Sequence, residues 1–246
     1  MNTKEFSEGF DTLVSSYRRF KDFDKLEVLD SIEFDEFEKS FYLTKSQEEI
    51  VISLYDGKNP FGESFESTEE LRRSLDRLVC TAHLGSTDIQ ETSTVALGEA
   101  NLHDICYKLP DDVMFITLEQ VAITGYPKSC YNGTRVNVQP ITQDEYNKIR
   151  NNPFKGPTRY RVLRLDSGYA DSVRTVELIS QYDFDDYTLR YLRRPLPIIL
   201  EDLPSGLTID NRSEETQCEL SPVLHQKILE RAVLMALRAK GINTDR

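Results

Sequence analysis

Two runs near the C-terminus decide the fold: YTLRYLRRPLPIIL at residues 187–200 and CELSPVLHQKILERAVLMALRAKG at residues 218–241. Residues 187–194 read as a half-exposed strand. Pro195 and Pro197 end it, because a proline cannot donate to a sheet ladder and is confined to an edge or a crossing segment. The acidic loop 201–217 follows, and then a helix in which residues 232–237 are apolar without a break. A helix packed on one side carries an apolar stripe, not a full circumference. Lys227, Glu230, Arg231 and Arg238 leave only a narrow polar strip, so this helix is expected to be covered on most sides, in a core or between subunits.

The rest of the chain is helical first and strand-rich afterwards. Phe6, Phe10, Leu13, Val14 and Tyr17 recur at helical spacing, with Gly9 weakening that helix. After a charged link at 21–30, Phe34, Phe37, Phe41 and Tyr42 repeat the pattern. Thr44 with Gln47 forms a capping box that predicts a helix over 45–56, closed by Gly57. Residues 58–67 read as a loop, and Ser67 with Glu70 opens the next helix. Residues 81–101 are rich in Thr, Ser and Gly and read as loop or weak strand. Strands are expected at 113–124, 134–142, 160–165 and 173–180, from their alternation and β-branched content. Thr142 with Glu145 caps one short inserted helix that Pro153 ends. The fold class is therefore α+β: N-terminal helices, a central antiparallel β-sheet or sandwich with a short inserted helix, and a C-terminal helix. The expected division is a helical region, 1–80, and a β-rich domain with the C-terminal helix, 81–246.

Composition narrows the function classes. The 246 residues carry a net charge of −12. Nucleic-acid affinity comes largely from Lys and Arg displacing counterions from phosphates, so sequence-specific binding is not expected. An acidic wall would repel a duplex and suit a passage rather than a binding site. Cys80, Cys106, Cys130 and Cys218 are scattered without metal-ligand spacing and read as reduced thiols. The start, MNTKEFSEGFDTL, lacks a signal-peptide pattern, and the longest apolar runs are too short to span a bilayer. A soluble cytoplasmic chain with no membrane partner is expected.

Catalytic motifs are absent from the sequence: no G-x-S-x-G, phosphate-binding loop, dinucleotide fingerprint or H-E-x-x-H. His103 next to Asp104 reads as a surface histidine, since neighbours on a strand point to opposite faces. Asp183, Asp185 and Asp186 resemble a short oxygen-ligand loop, but a calcium loop needs more ligands and a turn glycine. A hairpin turn is the favoured reading of them, and a metal-dependent hydrolase using them is the third functional reading. Cys218 beside Glu219 reads as a buried helix-start thiol rather than a nucleophile. No catalytic, cofactor-binding or metal-binding residue is expected. Two mixed arginine–tyrosine clusters fit protein interfaces instead: Arg159, Tyr160, Arg161 and Arg164, and Tyr187, Arg190, Tyr191, Arg193 and Arg194. With Leu234, Met235 and Leu237 of the last helix, the second cluster makes up the candidate interface.

The segments TKSQEEIVISLYDG, NPFGESFESTEELRR, VQPITQDEYNKIRNNPFKGPTRYRVLRLD, YLRRPLPIIL and CELSPVLHQKILERAVLMA resemble virion structural proteins of crAss-like bacteriophages of gut Bacteroidetes. The resemblance is to a head–tail connector or neck ring protein and covers roughly residues 30–240. The C-terminal motif is also similar, more loosely, to podovirus tail adaptors and gatekeepers. The resemblance implies a twelve-fold homo-oligomeric ring below the portal with a channel for the genome. Its partners would be further copies of itself, the portal protein, other neck or tail ring proteins, and genomic DNA passing without sequence-specific binding. It implies no enzyme activity and no cofactor, and a place in the virion neck or tail after assembly in the host cytoplasm. Candidate assembly segments are 44–56, 187–197 and 219–239; loops 81–101 and 201–217 carry no matching motif. A monomeric adaptor or regulatory protein binding a host or phage partner is the alternative from another class.

Overall fold

The computed structural model describes residues 1–19, 33–57, 68–90, 102–149, 152, 154–170 and 173–242. The link 21–30, the loop 58–67 with Ser67, residues 91–101 and Pro153 lie outside the described residues. The elements are α1 (Thr3–Arg19), α2 (Glu36–Asp56), α3 (Glu69–Leu75), β1 (Val79–Leu84), β2 (Ile89–Gln90), β3 (His103–Lys108), β4 (Val113–Ile123), β5 (Arg135–Pro140), α4 (Gln143–Ile149), β6 (Val162–Ala170), β7 (Val173–Ser180), β8 (Phe184–Arg193) and α5 (Pro222–Ala239). This is the expected α+β class, with helices first, α4 inserted among the strands, and α5 last.

Two compact units divide the chain, Met1–Leu78 with Arg194–Arg246 and Val79–Arg193. The last helix was expected in one unit with the strands; it packs instead with α1 and α2. The reason is its shape. Leu224, Ile228, Leu229, Ala232, Val233, Ala236 and Leu237 are buried across a wide face, and two helices side by side cover such a face. Phe6, Phe10 and Val14 of α1 are buried in the same unit. A Cβ on Gly9 would meet Leu229 Cδ2 at 2.8 Å, so this glycine permits the close approach of α1 to α5. Lys39 is buried where α1 meets α2, and its ammonium donates to Asp11 (2.8 Å), Glu36 (2.9 Å) and Ser7 (3.1 Å).

Helix α2 runs unbroken through Thr44, so the box expected there is not a helix start. Asp35 is the N-cap, accepting from the Glu38 N–H at 2.6 Å, and Gly57 ends the helix in the left-handed conformation at φ 73°. Ser40, Thr44 and Gln47 lie instead at i, i+4 and i+7 on one buried face. They line the extended segment 195–200, whose backbone has lost two donors to Pro195 and Pro197. Leu200 N–H donates to Ser40 Oγ (3.0 Å) and Ile198 N–H to Thr44 Oγ1 (3.0 Å). Thr44 Oγ1 also donates to the Ile198 carbonyl (3.3 Å), and Gln47 Nε2 to the Leu196 carbonyl (2.8 Å). On another side, Leu196 N–H reaches Glu219 (3.1 Å), and Ile199 exchanges backbone bonds with Thr216 (3.1 and 3.0 Å). A buried backbone group must find a partner, and a polar helical stripe here does the work of a neighbouring strand.

In the second unit the strand order is β1-β8-β4-β5-β6-β7-β3-β2. All pairs are antiparallel except β5 with β6, which run parallel, so the sheet is mixed rather than wholly antiparallel. Tyr107 of β3 and Tyr187 of β8 belong to strands second from opposite ends of that order, yet their ring centroids are 5.2 Å apart. The sheet therefore curls until its far strands share one core, with Val121, Val136, Val162, Val176, Leu178 and Leu189. β8 carries an extra residue against β4: Gln120 pairs with Thr188 but Ala122 with Asp185. Asp186 sits in that bulge at φ +46°, which turns Phe184, Tyr187, Leu189 and Tyr191 all inward.

Thr44→Val keeps the volume of the side chain but strands the N–H and C=O of Ile198, which is fully buried. Urea unfolding is expected to show a loss of about 1–3 kcal/mol, with Thr44→Ser close to the parent.

Candidate assembly surfaces

The structure separates the residues of the candidate interface. Tyr187, Tyr191 and Leu237 are buried within the chain itself, and Arg190, Arg193, Leu234 and Met235 are half-buried. Arg190 lies on the outer face of the sheet, opposite Leu118 of β4 and Thr81 of β1. Leu118 is exposed there, a hydrophobic surface position that the sequence reading passed over. Arg194 is exposed, with Nε 3.7 Å from Glu48 of α2. Strand alternation explains part of the split: Tyr187, Leu189 and Tyr191 of β8 face the core and Arg190 between them faces out.

Arg164 was grouped with the surface arginines but is buried. Its Nη1 donates to Glu119 Oε2 at 2.7 Å, and the Tyr187 hydroxyl donates to the other oxygen of the same carboxylate. Burial pulls the Arg164 pKa down and Glu119 more than offsets it, so the guanidinium stays charged. Burial, then the Glu119 charge, pushes the Tyr187 hydroxyl well above its ordinary value, so it stays protonated and donates. This triad was legible in principle: Glu119 shares the parity of Val121 and Ile123, and Arg164 that of Val162.

The three acidic residues at 183–186 do not converge on a metal. Asp183 lies 2.7 Å from His103 Nδ1, so His103 is exposed as expected but pairs across the strands. Asp186 holds Arg135 (2.5 Å) and lies 3.4 Å from His83. Among the described residues no group of His, Cys, Asp and Glu is placed to hold a metal ion. Cys218 is half-buried, and its thiol donates to Gln47 Oε1 at 3.4 Å. His225 is buried between the Met1 ammonium (2.7 Å from Nδ1) and the Leu220 carbonyl (3.1 Å from Nε2), and burial lowers its pKa.

The other arginine–tyrosine cluster is a surface. Arg159 and Arg161 precede β6 in a turn, not in the strand. Arg161 Nη2 donates to the carbonyls of Gly156 (2.6 Å) and Phe154 (3.1 Å), which fixes the turn. Arg159 stacks on Tyr160 (4.4 Å to the centroid) and Tyr131 (5.5 Å) and donates to Tyr126 Oη (3.3 Å). Tyr126 packs edge-on to Tyr131 and Tyr182, at 5.1 and 4.8 Å. Tyr160, under the Arg159 guanidinium, is 60% exposed and Phe154 is 88% exposed.

These features describe an α+β chain whose polar clusters fix its interior and present surfaces. The chain belongs to the phage tail ring protein 3/4 family, whose sequence model matches residues 1–246. It is 42% identical over 243 residues to "Ring protein 3" of Bacteroides phage crAss001, covering 98% of this chain and 96% of that one. It is also 30% identical over 247 residues to "Ring protein 4/5" of the same phage, covering 97% and 93%. The chain is thus a neck or tail ring protein of a crAss-like phage and a structural component of the virion. That family is structural rather than enzymatic. No helix among the described residues is long and apolar enough to cross a membrane.

Breaking the buried pair one side at a time leaves an uncompensated charge. Arg164→Met is expected to cost roughly 3–5 kcal/mol in urea unfolding, and adding Glu119→Met is expected to recover much of that loss. Alkaline pH probes the buried acids. Burial, then nearby charge, pushes Cys106 up to about 11 and Tyr191 to about 12, and burial chiefly raises Cys218 to about 11. The folded chain keeps these protons longer than the unfolded one. Their contribution is therefore complete below the ordinary thiol value of 9.0 and fades as pH rises through about 11. The thermal midpoint is expected to fall over that interval, and less steeply for Cys218→Ser.

Proposed function

We propose that the chain assembles into a twelve-fold homo-oligomeric ring in the head–tail connector, below the portal. It links portal to tail, lines the genome passage and carries out no reaction of its own. The observation that carries this reading is the match to ring proteins along the whole chain. The net charge of −12 supports a passage, because carboxylates facing a duplex repel phosphates and keep it from adhering. Partners under this reading are identical copies, the portal protein, adjoining ring proteins and transiting genomic DNA. Subunits reach the virion from the host cytoplasm. Arg190, Arg193, Arg194, Leu234 and Met235 remain the accessible part of the candidate interface; Tyr187, Tyr191 and Leu237 act from within by fixing the strand and helix that present them.

Cryo-electron microscopy of purified virions tests the reading. The expected result is a closed ring of this chain at the neck, with its lumen lined by Asp and Glu. Virions lacking the chain, or holding it as single copies away from the genome path, would refute it.

A further inference from the structure

The aromatic turn exposes Phe154 and Tyr160 to solvent. Two loops build it, 126–134 and 154–161. Together they hold Lys128, Lys155, Arg159 and Arg161 and no acidic residue, in a chain of net charge −12. Asp183 lies behind the first loop, its carbonyl accepting from Gly125 N–H at 3.1 Å, and its carboxylate is engaged by His103. The contacts of Arg159 are two ring faces and a phenol; no carboxylate partner occurs among the described residues. Tyrosine and arginine dominate binding at protein contacts, and phenylalanine is enriched there.

Charge identifies the occupant. Copies with a net charge of −12 repel one another at long range, so self-association needs a local basic patch to meet a local acidic one. A matching receptor lies on the helical unit. Glu69, Glu70, Arg73, Ser74, Ser221 and Val223 line an open cleft of about 340 Å³. Arg73 is held by Glu69 at 2.7 Å, whereas the Glu70 carboxylate has no ion-pair or hydrogen-bond partner among the described residues. Val223 is 69% exposed and supplies the apolar wall. We infer that the 154–161 turn of one subunit docks in this cleft of a second copy, with Phe154 against Val223 and Arg159 on Glu70. Such a contact joins unlike faces and propagates head to tail, as a ring requires. The inference rests on the ring reading above.

The test is complementation of a phage lacking this gene with full-length variants, reading copies per purified virion by quantitative mass spectrometry. Arg159→Glu, Phe154→Ala and Glu70→Arg each alter exposed groups and are expected to leave the thermal midpoint of the isolated chain unchanged. Each is expected to lower incorporation at least tenfold, and Arg159→Glu combined with Glu70→Arg to restore it. Parent copies missing from virions would defeat the ring reading itself. Parent rings with normal incorporation of Arg159→Glu and Phe154→Ala would overturn only the docking surface. Failure of the charge swap to restore incorporation would overturn the cleft as its receptor. Normal rings that lose packaged DNA would assign the turn to nucleic acid and overturn a second copy as occupant.

Discussion

The helical unit depends on how the buried backbone of residues 195–200 is satisfied. Two prolines prevent this segment from joining a ladder along its whole length, yet Ile198 and Ile199 are fully buried. The solution is a helix whose buried face is polar: Ser40, Thr44 and Gln47 offer hydroxyls and an amide at the spacing of the N–H and C=O groups opposite. Thr44 both accepts and donates, imitating the exchange between paired strands. A polar stripe inside a core is costly unless every member is paired, and pairing fixes the register between α2 and the segment. The apolar remainder of the unit, Phe6 and Phe10 of α1 and the wide face of α5, closes around that arrangement.

The sheet unit uses a related device in a different form. Arg164, Glu119 and Tyr187 place a charged pair and a phenol inside a curled sheet. Such a pair adds little net stability over a well-packed apolar core, because desolvation offsets its attraction. It does penalise wrong registers: a slip of one residue would leave one charge buried without the other. The bulge at Asp186 supports the same register by bringing Tyr187 round to Glu119. Fixing register inside leaves the outer faces free to vary, which suits a protein whose work is done at its surfaces.

Much of the fold was legible in the sequence. Periodicity located α1, β4, β5, β7 and β8, and capping chemistry located α4: Thr142 and Glu145 exchange bonds at 3.0 and 3.2 Å. Gly57 ends α2 where a left-handed residue is needed. The misreadings share one cause. Thr44 and Gln47 match a local capping pattern, but their partners lie about 150 residues away, so a local rule assigned them a local role. Parity sets Arg164 on the opposite strand face from Arg159 and Arg161, but parity alone does not say which face is covered. Tyr187, Tyr191 and Leu237 fit a core and an interface equally well in the sequence, because aromatic and apolar residues serve both. Membership of a phage ring family was readable from the motifs, since those are strings of residues.

The sequence by itself determined most of the helices and the longer strands, the α+β class, the net acidic charge and the family, because each follows from local spacing, composition or residue identity. Only the tertiary structure decided which helix joins which unit, which charges are buried and which aromatic rings stand clear of the surface. Those outcomes depend on contacts between residues far apart in the chain, and burial is a property of what arrives to cover a side chain, not of the side chain itself.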